Sequence, residues 1–172
     1  MILYHFTAIG HLPDIFRSGY LDVTESNIGA PAMLDPNTAK LAYGRPTGKH
    51  LGPDVLWAFD REHPRLHGQR PMLNQQYQDP LVNKTNAVFV IDVDDSDVAH
   101  WPTWCEEQGI SKRWRRHLAK SGDENQWWVV LRQVPALEWL AVRAKIDGEW
   151  VHVNEVDFNG ETIQAEGYTL SD

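Results

Sequence analysis

Apolar and polar positions alternate along the chain in short runs separated by Gly- and Pro-rich stretches. Leu3-Tyr4-His5-Phe6-Thr7 reads as a short strand with β-favouring residues. In the segment that follows, Leu12, Ile15 and Phe16 share one helical face, Pro13 suits the first turn and Gly19 suits the C-terminal cap. Residues 22–54 lose periodicity and predict a long loop, of the kind that often carries function. Asp54–Phe59 predicts a second strand, and the polar, Pro-punctuated 60–83 a second loop. Asn86–Val93 is the strongest strand signal, followed by a turn over 94–98 that leads into helix. Short helices are expected over 101–105 and 111–119, the second with Ser111 as N-cap, and strands over 127–131 and 139–144. Asp147-Gly148 and Asn159-Gly160 each sit between β-like runs and predict two tight hairpins, because a type I′ turn needs φ > 0 at both central residues. The expected class is α+β: a mostly antiparallel sheet with short helices and a C-terminal hairpin meander.

Composition narrows the picture. With 172 residues the chain fits one domain, 1–172, and is long enough to bury a core without covalent staples. A net charge of −8 speaks against wholesale electrostatic wrapping of nucleic acid while leaving room for a local basic patch. Eight Trp suit a core, and could also suit a pocket for a flat ligand. Cys105 has no cysteine partner, so neither an internal disulfide nor a cysteine metal cage is expected, and a reducing compartment is the simplest reading. The N-terminus lacks a basic segment followed by a long apolar stretch, and the apolar runs are too short to span a bilayer. A soluble, cytoplasmic protein with no membrane partner is expected.

Most local motifs fail on inspection. Gly44-Arg45-Pro46-Thr47-Gly48-Lys49 is one residue short of a P-loop, and His50 stands where Ser or Thr would hold Mg²⁺. His63 and His67 are four apart but have prolines nearby and no third ligand, so no metal is expected. Adjacent carboxylates such as Glu106-Glu107 point apart on a helix. The basic run 112–117 has two readings. Arg113, Trp114 and Arg116 could contact nucleic acid, with Trp114 stacking on a base. Alternatively the run is an amphipathic helix with Trp114 and Leu118 facing the core and its arginines outside.

Three separated segments carry a stronger signal. Leu3-Tyr4-His5-Phe6-Thr7 resembles the first motif of the ADP-ribosyltransferase fold, and Leu12-Pro13 through Gly19-Tyr20-Leu21 is similar to the segment that follows it in DarT-type DNA ADP-ribosyltransferases. Asp54–Phe59 resembles the second motif strand of the poly(ADP-ribose) polymerases, and Asn125-Gln126-Trp127-Trp128-Val129-Val130 the third. The resemblance spans roughly residues 1 to 142 in order. It implies a split sheet, and a bacterial or phage enzyme that transfers ADP-ribose from NAD to a macromolecule, protein or nucleic acid. It assigns the adenosine-side ribose to His5, the nicotinamide amide to Thr7 and nearby backbone, and nicotinamide stacking to Trp57, with Phe6 and Phe59 in the same NAD pocket. Gln126 stands where the family has its catalytic Glu; an amide can bond a ribose hydroxyl but supplies no negative charge. Glu124, on the same strand face as Gln126, is the carboxylate expected to substitute, or else a surface residue. The alternative is a catalytically inactive module of the same fold that binds NAD, a nucleotide or a protein partner. An RNA 2′-phosphotransferase-like enzyme is a third relative, but its additional Arg and His positions are not found here.

Overall fold

The computed structural model describes residues 1–26, 53–64, 81, 83–110, 112, 115, 123–154, 164–165 and 168–169. In chain order the strands are β1 (Ile2–Thr7), β2 (Tyr20–Leu21), β3 (Thr24–Glu25), β4 (Asp54–Phe59), β5 (Ala87–Asp92), β6 (Val98–His100), β7 (Trp127–Val130), β8 (Val134–Pro135), β9 (Trp139–Ile146), β10 (Glu149–His152), β11 (Gln164–Ala165) and β12 (Tyr168–Thr169). Among the described residues, α-helices with both ends described are α1 (Leu12–Ser18) and α2 (Trp101–Glu107). Single 3₁₀ turns occupy Ile9–His11, Asp95–Asp97, Glu124–Gln126 and Ala136–Glu138.

Seven strands run in the order β10-β9-β5-β1-β4-β7-β6, every neighbour antiparallel, and β3 pairs with the start of β4. The α+β class and the mostly antiparallel sheet are those that the alternation predicts. Side chains leave a strand to opposite faces in turn, so each face gathers its own core. On one face Leu3, Leu56, Ala58, Phe89, Ile91, Val130 and Val142 pack with Leu12, Ile15 and Phe16 of the α1 segment. On the other, Val55, Trp127 and Val129, flanked by Trp57 and Phe59, pack with Trp101, Trp104 and Cys105 of α2. The α1 face is aliphatic with an aromatic centre, where the Phe89 and Trp139 rings meet edge to face at 4.9 Å.

Local rules explain several boundaries. Pro13 lies in the first turn of α1, and Gly19 ends it at φ 75°, donating its N–H to the Ile15 carbonyl at 3.0 Å. A Cβ at Gly19 would meet nothing within 4 Å, so only backbone strain opposes Gly19→Ala. That substitution is expected to cost about 1–2 kcal/mol and to lower the melting temperature by roughly 2–8 °C in a calorimetric scan. The hairpin between β9 and β10 turns on Asp147 (φ 50°) and Gly148 (φ 89°), both in the left-handed region as the Asp-Gly pair predicts. Segment 94–98 does turn, but it leads through the unpredicted strand β6 before α2 begins. The Asn159-Gly160 hairpin lies outside the described residues, as does most of the helix expected over 111–119. No helix among the described residues is long and apolar enough to cross a membrane.

Candidate functional site at the β1–β4 seam

The sheet is weakest where β1 meets β4. These strands share one register pair, Tyr4↔Phe59, whereas β1 and β5 share six and β4 and β7 share four. One residue beyond Tyr4, the His5 Nδ1 lies 2.7 Å from the Trp57 carbonyl oxygen. A carbonyl can only accept, so Nδ1 carries the hydrogen and donates. The imidazole therefore bridges the seam where the backbone ladder stops. Its ring centroid is 6.5 Å from that of Phe89. Burial pushes the His5 pKa down to about 4, the bond to Trp57 opposes this, and Lys84 and His11 add repulsion to the charged form. The ring is neutral at pH 7, which leaves Nε2 as a lone-pair acceptor. Nearby, Thr7 is buried and its Oγ1 is 2.9 Å from His11 Nδ1.

This shift has a consequence for stability. In the unfolded chain the His5 pKa returns to about 6.5, so between about pH 4 and 6.5 the unfolded state binds more protons than the folded one. Stability then rises with pH across that window, is complete above it and is lost on acidification, by up to about 3 kcal/mol. Urea midpoints at pH 7 and pH 4.5 should differ less in a His5→Asn variant than in the parent chain; an unchanged difference would show that His5 is not the group responsible.

Of the other cofactor candidates, Thr7 alone shares the face of His5. Strand alternation sends His5 and Thr7 to the α1 face and Phe6, Trp57 and Phe59 to the α2 face. Phe6 and Phe59 meet edge-on at 5.7 Å. The Trp57 ring lies 5.7 Å from Trp101 and 5.7 Å from Trp127, packed into the aromatic cluster against α2. What β4 offers to His5 is the Trp57 peptide, not its indole, and the expected stacking role for that ring is replaced by core packing.

Residues 124–126 form a 3₁₀ turn rather than a strand, so the shared-face argument for Glu124 and Gln126 does not hold. The Glu124 carboxylate accepts from Arg115 Nε at 3.1 Å, and Arg115 Nη1 also donates to Glu106 Oε1 at 2.7 Å and to the Pro102 carbonyl at 3.1 Å. Arg115 is only 6% exposed, and both carboxylates, Glu106 foremost, hold its pKa up. Glu124 is thereby drawn toward α2. Gln126 turns instead to Asp123: its Nε2 donates to Asp123 Oδ2 at 2.9 Å. The Asn125 N–H and then the Gln126 amide hold the Asp123 carboxyl below the usual carboxylate range. The Asp60 N–H donates to the Gln126 carbonyl at 3.2 Å, fastening the turn to the end of β4.

Strand geometry relates the two groups. His5 lies level with Ala58, and Gln126 with Asp60, two strands away and two residues along. Spacings of about 4.8 Å between strands and 3.4 Å between residues put their Cα atoms about 12 Å apart.

Sequence reasoning missed Asp123 and Arg115. Asp123 opens Asp-Glu-Asn-Gln, a pattern that favours an Asx turn with Asp as cap, and this was the available signal. Arg115 is turned inward although a solvated face was expected of its segment, a difference decided by the two glutamates that meet it. Arg113, Trp114 and Arg116 lie outside the described residues, as do Gly44–Lys49 and His67; His63 is exposed. Cys105 is buried, and burial pushes its thiol up to about 12, so it stays protonated and unreactive at neutral pH. No protein-family model, curated protein or solved structure matches the chain.

Proposed function

We propose that this domain is an NAD-dependent ADP-ribosyltransferase acting on a macromolecular acceptor, with the dinucleotide lying along the β1–β4 seam on the α1 face. The observation that carries the reading is the imidazole of His5 at the point where the β1–β4 ladder ends. With Nδ1 committed to the Trp57 carbonyl, Nε2 accepts from a ribose hydroxyl, and neutrality at pH 7 keeps it an acceptor. Thr7 and the backbone at the end of β1 meet the nicotinamide amide. In the transfer, the bond from ribose C1′ to the nicotinamide nitrogen breaks and its electron pair neutralises the pyridinium. An acceptor oxygen or nitrogen bonds C1′ and gives its proton to solvent. The side chain of Gln126 faces the positive charge developing on the ribose.

A second reading, a non-catalytic module that binds NAD, a nucleotide or a protein partner, is favoured by the engagement of Glu124 with Arg115. One experiment separates them. The protein is incubated with NAD labelled in its adenylate part and with cell lysate, and label is followed into protein and nucleic-acid fractions, beside calorimetry with NAD alone. Transfer supports the enzyme; binding without transfer or hydrolysis supports the module; no binding overturns both NAD readings.

A further inference from the structure

We infer that Asp123 provides the negative charge for the ribosyl transfer, acting as a positioning residue through the side-chain amide of Gln126. The inference rests on the transferase reading above and names the carboxylate which that reading lacks. On that reading Gln126 stands where the resemblance puts a carboxylate, and its amide is uncharged. Its Nε2 donates to Asp123 Oδ2 at 2.9 Å, a charge-assisted bond. Donation to an anion polarises the amide, so that its oxygen carries more negative charge than an isolated Gln would offer. The neighbouring carboxylate, Glu124, is drawn away by buried Arg115, so Asp123 is the carboxylate that Gln126 holds. Asp123 is itself fixed: its Oδ1 accepts from the Asn125 N–H and from Asn125 Nδ2, both at 3.1 Å. The turn is tied to β4 through the Asp60 N–H, which sets Gln126 at the end of the strand whose Trp57 carbonyl receives His5.

Asp123 also caps the turn, and the cap and the charge must be told apart. Asn caps a helical turn as well as Asp does, so Asp123→Asn keeps the turn and removes the charge. NAD turnover and calorimetric NAD affinity are measured for the parent chain, Asp123→Asn, Glu124→Gln and the double variant Asp123→Asn with Gln126→Glu, which exchanges amide and carboxylate. The expected result is a kcat lowered roughly tenfold or more by Asp123→Asn with NAD affinity unchanged. Glu124→Gln should retain the parent's kcat, and the exchanged pair should recover most of what Asp123→Asn loses. If Asp123→Asn melts early, the exchanged pair decides, since it retains one carboxylate and one amide. Full turnover in Asp123→Asn overturns the inference while the transferase reading stands, and so does a loss confined to Glu124→Gln. Failure of the exchanged pair to recover activity assigns Asp123 a capping role only. A parent chain that binds NAD without turning it over ends the transferase reading, and this inference with it.

Discussion

His5→Asn is expected to lower NAD-dependent transfer by about a hundredfold or more while leaving the fold standing. An Asn amide at this position can donate to the Trp57 carbonyl as Nδ1 does, so the bridge across the seam survives. The second ring nitrogen is lost, and with it the acceptor proposed to meet the ribose. His5→Ala removes both, leaving the Trp57 carbonyl without the imidazole and opening a gap beside Phe89; it should therefore lose stability as well as activity. The measurement is calorimetric NAD affinity and labelled transfer, set beside urea unfolding of the same preparations. An Asn variant that binds and transfers like the parent would remove His5 from the site and leave it as a seam-bridging core histidine.

The second large effect is expected in the aromatic cluster. Trp101 is fully buried at the start of α2, its ring 5.0 Å from Trp127 and 5.7 Å from Trp57. Trp101→Ala should cost about 3–5 kcal/mol, since the surrounding rings are large and the strands behind them cannot collapse into the gap. Trp101→Phe should cost less, because the Trp101 Nε1 has no hydrogen-bond partner among the described residues and its removal relieves an unsatisfied donor. Urea midpoints at an unchanged m-value read the difference. A loss below about 1 kcal/mol for the Ala variant would mean that this cluster is not a cohesive core. The two predictions meet at Trp57, whose ring belongs to the cluster and whose carbonyl belongs to the seam.

Much of the architecture could be read from the chain itself. Short apolar, β-favouring runs bounded by turn residues located β1, β4, β5, β7 and β9 to within two or three residues, because strands buried on both faces leave few polar positions. Gly19 and Asp147-Gly148 marked their turns because few other residues enter positive φ cheaply. The tertiary structure decided which faces meet. Whether Trp57 stacks on a ligand or fills a core depends on pairing register, which places its ring with Trp101 and Trp127 and only its peptide beside His5. Whether Glu124 or Asp123 serves Gln126 depends on a 3₁₀ turn and on an inward-facing Arg115, and neither leaves a periodic trace in the sequence. Local patterns record the short-range preferences of backbone and side chain; partnerships between residues 5 and 57, or 115 and 124, arise only when the sheet closes and sets those groups against each other.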